Sequence, residues 1–115
     1  MNVTTILEET YNLLNDTGFV NNKKQFLNDF LNRSESYIRV QKHNNCLPSL
    51  HTLVMCSSKL KYCSELLKKK KKVEAKFLAH DLLQLSQKYD EVIYAESKDS
   101  WKNKIKFETN KVLNN

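Results

Sequence analysis

Apolar residues along this chain fall into short stripes separated by polar stop signals. Phe26, Leu27, Phe30 and Leu31 lie at i, i+1, i+4 and i+5, the spacing of one buried helical face. The stripe stops at Asn32, a residue type that tolerates the left-handed conformation where a helix ends abruptly. Ser34 then predicts the N-cap of a helix running to about His43. Asn44-Asn45 supplies a second turn and Pro48 blocks continuation. Ser49 caps a further helix, to about Leu67, expected to bury Leu50, Leu53, Val54 and Leu60.

The flanks read as helix too. A first helix is predicted from about Thr5 to Asp16, with Thr5 and Glu8 as a capping box and Gly18 as the left-handed stop. Its apolar face is Ile6, Leu7, Tyr11, Leu13 and Leu14, and Phe19 and Val20 anchor the connection to the second helix. Asn22 with Gln25 repeats the capping pattern and opens the helix that carries Phe26. After Lys68 to Lys72, an amphipathic stretch from Val73 to about Ser97 places Phe77, Leu78, Leu82, Leu85, Tyr89, Val92 and Ile93 three or four residues apart. A last segment holds Trp101, Ile105, Phe107, Val112 and Leu113. The pattern alone leaves open whether residues 60–97 are one helix or two.

Composition fixes the class. One Gly and one Pro in 115 residues leave almost no material for hairpin turns, so the expectation is all-α, with five to six helices. A chain of this length buries roughly two-thirds of its unfolded surface, enough for one core. Residues 1–67 are expected to form a helix-turn-helix bundle, and residues 68–115 a helical extension in the same compact domain or in a dimerisation element. No apolar run approaches the roughly 18 residues that cross a bilayer, and the acidic, interrupted N-terminus is no signal peptide. Cys46, Cys56 and Cys63 are an odd set in a chain that needs no staples, read as reduced thiols in a cytoplasm.

The net charge of +6 is unevenly placed. Residues 1–20 carry −3, residues 21–72 carry 12 basic against 3 acidic groups, and residues 73–115 carry seven of each. Lys and Asn make up 30 of the 115 residues, a bias that AT-rich coding produces unaided. Such a bias does not account for the neutral balance of the C-terminal part. Excess positive charge in the middle is the footprint of phosphate binding.

Helix, tight turn, polar helix, loop and capped helix succeed one another in residues 24–50 at the spacing of a DNA-reading helix-turn-helix. Over about residues 5–60 the chain resembles the Cro/repressor-type helix-turn-helix family. Lys24 stands at the family's Gln position, Leu27 and Leu31 at its core leucines and Asn32 at its turn glycine. Ser34 takes the cap, Ile38 the central core position, and Pro48-Ser49-Leu50 the final signature. Asn28, Arg33 and Gln41 depart from the pattern, replacing a small buried residue, an apolar turn residue and an aliphatic core residue. A fainter likeness is to short uncharacterised bacterial proteins with an Arg-Ser-x-Ser-Tyr run, here Arg33 to Tyr37.

The resemblance implies that the helix from Ser34 enters the major groove of double-stranded DNA. Glu35, Ser36 and Arg39 would then face base edges, Arg toward guanine and Glu toward the cytosine amino group. Lys24 and Lys42 would meet phosphates, with Arg33, Ser34 and His43 completing the interface. It further implies a transcriptional regulator of bacterial or phage type that occupies an operator as a homodimer. The dimer seam expected from the pattern is Phe77, Leu78, Leu82, Leu85, Tyr89 and Val92, a stripe that could instead pack on its own chain. Glu35, Arg39, Lys42 and His43 also read as a plain solvated face with an i,i+4 ion pair.

Other chemistry is thinly represented. His43, Cys46, His51 and Cys56 lack metal-ligand spacing, so no metal and no cofactor is expected. A phosphate-cradling loop is impossible with one Gly, and His80-Asp81 and Asp90-Glu91 point in different directions on a helix, so an enzyme is not expected. Lys68 to Lys72 reads as a second DNA contact, a localisation-type patch, a membrane-surface tether or a solvated corner. The leading expectation is sequence-specific DNA binding, with no membrane partner. The alternative is a bundle that uses the same scaffold to bind a protein, and a third is non-specific nucleic-acid binding through the lysine corner.

Overall fold

The computed structural model describes residues 3–33, 36, 37, 39 and 48–105. Its described residues are helices and connections, so the all-α class holds; among the described residues there are four helices, against the five to six expected of the whole chain. They are α1 (Val3–Thr17), α2 (Lys23–Gln25, running on as a π-helix over Phe26–Leu31), α3 (Leu50–Lys68) and α4 (Val73–Trp101). The helix expected from Ser34 to His43 lies largely outside the described residues, as do Phe107, Val112 and Leu113. Residues 60–97 form two helices, parted at Lys69–Lys72.

Helix α1 starts at Val3, so Thr5 is inside it rather than capping it. It ends where Gly18, at φ +84, turns the chain and lets Val20 N–H donate back to the Leu14 carbonyl. Asn22 caps α2 as its spacing from Gln25 predicts: Asn22 Oδ1 accepts from Gln25 N at 2.8 Å, and Gln25 Oε1 accepts from Asn21 N at 2.7 Å. The π-helical stretch spans the two apolar doublets, Phe26-Leu27 and Phe30-Leu31. Bonding to i+5 widens each turn; the Phe26 and Phe30 rings lie 6.1 Å apart, and all four apolar residues are buried.

On α3 the buried face is only partly the one expected. Leu53 and Leu60 are buried, but Leu50 and Val54 are 39% and 47% exposed. The buried stripe is filled instead by Thr52, Cys56, Ser57, Cys63 and Ser64. Small side chains let α4 approach closely, and the hydroxyls of Ser57 and Ser64 are satisfied across the contact. Ser64 Oγ donates to the Ala79 carbonyl at 2.7 Å; Ser57 Oγ, seven residues back, donates to Asp90 Oδ1 at 2.6 Å and lies 3.2 Å from the Ser86 carbonyl, seven residues on.

One buried cluster joins all four helices, with Ile6, Leu14, Phe26, Leu53 and Leu82 in it. Leu82, Leu85 and Tyr89, expected in a dimer seam, belong to this cluster and are 0%, 4% and 0% exposed. Of that stripe only Phe77, with half-buried Leu78 and Val92, is left for a second copy. Tyr89 spans the core: its hydroxyl shares a 2.7 Å hydrogen bond with Thr10 Oγ1, and Thr10 donates in turn to the Ile6 carbonyl at 2.6 Å.

Candidate nucleic-acid interface

The site begins where α2 ends. Asn32 is left-handed (φ 54, ψ 45), the one non-glycine residue with positive φ among those described. Its N–H and that of Arg33 both return to the Leu27 carbonyl, the latter at 2.8 Å, which bends the chain sharply away from the helix axis. The carbonyls of Asp29 and Phe30, left open by this ending, accept from Lys59 Nζ at 3.1 and 2.7 Å. A lysine of α3 therefore closes the C-terminus of α2, where a cation also suits the helix dipole.

Arg33, expected among the DNA contacts, is exposed but also engaged within the chain. Its Nη2 donates to Thr52 Oγ1 at 3.2 Å, and its guanidinium lies 5.3 Å from the centre of the Tyr37 ring. Thr52 is held by the Ser49 cap, whose Oγ accepts from Thr52 N at 3.2 Å and lies 3.0 Å from Thr52 Oγ1. Arg33 thus ties the start of the segment after the turn to the first turn of α3. Beyond it, Tyr37 is half-buried against the core and Arg39 is exposed, both in helical conformation, while Ser36 is half-buried in a turn. Lys24 is exposed in the first turn of α2. Ser34, Glu35, Lys42 and His43 lie outside the described residues.

Asn28, at the position where the resemblance wants a small buried residue, is exposed. With Asp29, Asn32, Arg33, His51, Thr52, Met55 and Lys59 it borders a cleft of about 260 Å³ below the turn. Lys59 and Thr52 are the residues sequence reasoning missed. A side chain that caps a helix about 30 positions away leaves no local signal, whereas Thr52 sits three residues after a Ser cap, a spacing that can be seen in the chain.

Burial governs the thiols. It pushes Cys56 up to about 12, against the pull of nearby Lys59 and a hydrogen bond with Tyr89, and it raises Cys63 as well. Both are free cysteines and neither has thiolate character. Among the described residues no three His, Cys, Asp or Glu side chains group to hold a metal ion, and no helix is long and apolar enough to cross a membrane.

These features define a helical bundle with a tightly closed turn after its second helix and basic residues around it. The chain belongs to the family described as a family of unknown function (DUF6626), whose model matches residues 7–102. No curated protein and no solved structure matches the chain.

Proposed function

We propose that the protein is a small sequence-specific DNA-binding regulator that acts by occupying an operator. The observation that carries this reading is the left-handed closure of α2 at Asn32, followed by a segment anchored inward by Tyr37 and carrying exposed Arg39. A reading helix needs that arrangement: one side fixed to the bundle, the other free to enter a groove. Arg39 is suited to a bidentate bond with guanine, and Lys24 to a phosphate. Ser36 completes the described part of the interface, with Ser34, Glu35, Lys42 and His43 beyond it. Arg33 moves from the contact set to a support, because its guanidinium is already engaged by Thr52 and Tyr37.

Selection of bound duplexes from a random pool, repeated at two salt concentrations, tests the proposal. The expected result is a preferred sequence whose affinity falls steeply with salt yet stays above that of bulk DNA. Arg39→Ala should then relax the preference at one position, costing roughly 1–3 kcal/mol there. Equal loss on every sequence would place Arg39 among the phosphate contacts. Absence of any duplex binding at low salt would favour the protein-interaction bundle instead.

A further inference from the structure

The corner between α3 and α4 brings together charge and apolar exposure that the DNA reading does not use. Lys68 to Lys72 are all exposed, and among the described residues no ion pair holds any of them. Directly after them, Val73 and Phe77 are 67% and 68% exposed. They stand four residues apart, one above the other on the first turns of α4. Water alone satisfies the lysines, and so does a phosphate backbone. Neither accounts for a valine and a phenylalanine held in solvent beside five like charges.

A lipid surface bearing anionic headgroups uses both features. Its negative potential attracts a lysine cluster, and short apolar side chains next to the cluster enter the headgroup boundary. The cluster is lysine throughout, compact point charges that suit a diffuse field better than paired recognition of one phosphate. We propose that this corner docks the protein peripherally on an anionic membrane surface, Lys68 to Lys72 supplying attraction and Val73 and Phe77 insertion. The charge run alone leaves a membrane tether as one reading among four; the two exposed apolar side chains beside it single that reading out. A peripheral contact needs no helix that crosses the bilayer. The proposal stands independently of DNA recognition at the other end of α3.

Flotation of the full chain with vesicles tests it, using phosphatidylcholine alone and phosphatidylcholine with about one-third phosphatidylglycerol. The protein should float only with the anionic vesicles, less so as salt rises. Changing Lys68 to Lys72 together to Gln should weaken that binding about tenfold or more. Phe77→Ser, with the lysines kept, should weaken it about fivefold, and its effect should persist at high salt because insertion is not screened. All the altered side chains are exposed, and circular dichroism checks that each variant folds. Equal flotation of the parent and the five-Gln variant overturns the proposal, as does an unaltered Phe77→Ser. If the parent ignores anionic vesicles while the five-Gln variant loses duplex DNA, the corner belongs to nucleic acid and the membrane proposal falls.

Discussion

The turn at Asn32 is the geometric hinge of the proposed interface, and its conformation makes a sharp stability prediction. At φ 54 and ψ 45 an ordinary L-residue pays roughly 1–2 kcal/mol through its Cβ, whereas Asn pays less because its short side chain bonds locally. Asn32→Ala should therefore cost about 1 kcal/mol, and Asn32→Val, branched at Cβ, about 2 kcal/mol. Glycine has no Cβ to clash but frees the unfolded chain, so Asn32→Gly should stay within about 0.5 kcal/mol of the parent. At about 2.1 cal/mol/K per residue, 115 residues give an unfolding entropy near 0.24 kcal/mol/K, so 1 kcal/mol corresponds to about 4 °C. Thermal melts followed by far-ultraviolet circular dichroism should rank Gly with Asn, Ala about 4 °C lower and Val about 8 °C lower. A melt in which Ala matches Asn and Gly is the least stable would refute a left-handed residue here.

The α3–α4 contact and the buried groups carry further expectations. Ser64 is 1% exposed, so Ser64→Leu should overpack the contact by about 1–3 kcal/mol, read as a lower urea midpoint; an unchanged midpoint would mean that the helices do not meet there. Partial burial pulls the Asp90 carboxyl upward, but hydrogen bonds from Ser57 and Lys61 and the Lys61 charge outweigh it and hold Asp90 below the usual carboxylate range. A depressed folded value means that this stabilisation is present above the unfolded pKa and is lost as pH falls through the folded one. Melts taken down through about pH 4 should thus lose less stability in Ser57→Ala than in the parent, by well under 1 kcal/mol because Asp90 is half open to water. Cys56, with its thiol pushed up to about 12, should resist alkylation at neutral pH and react only in denaturant; peptide mapping that finds it labelled in the folded protein would contradict its burial.

Most start and stop signals were legible because they are local; Thr5, inside α1, is the exception. The Asn22 and Gln25 pair, the Ser49 cap, Gly18 and Asn32 each act through side chains or dihedrals within a few residues, and each sits where its spacing indicates. Faces were less legible because they depend on a partner helix. An apolar pattern assigns Leu50 and Val54 to the core of α3, yet the closest neighbour, α4, demands small residues, and Ser57 and Ser64 take the buried positions. The same competition explains the stripe on α4. Leu82, Leu85 and Tyr89 fit a dimer seam or a monomer core equally well by spacing, and the core claims them. The π-helical winding of Phe26–Leu31 was visible only as doubled apolar positions, which an α-helix would spread over a wider face.

Charge totals mislead in a comparable way. The segment from 21 to 72 holds 12 basic groups, but several do structural work. Lys59 closes α2, Arg33 holds Thr52, Lys61 pairs with Asp90 at 3.0 Å, and Lys23 lies over the Tyr11 ring at 5.7 Å. Only Lys61 has its charge offset by a carboxylate; Lys59, Arg33 and Lys23 are held by carbonyls, a hydroxyl and a ring, which fix the side chain without neutralising it. The other described basic residues of this segment are Lys24 at the start of α2, Arg39 beyond the turn, and Lys68 to Lys72; the turn, tied by Arg33 to Thr52, and the lysine corner lie at opposite ends of α3. Nineteen residues at 1.5 Å each separate those ends by about 28 Å, roughly three and a half Debye lengths at physiological salt. The two groups therefore act as separate electrostatic sites. A DNA contact confined to the turn should show a salt slope set by the few cations there, unaffected when the corner lysines become Gln. A slope that drops by about 0.9 for each lysine removed would instead join both ends of α3 to one duplex.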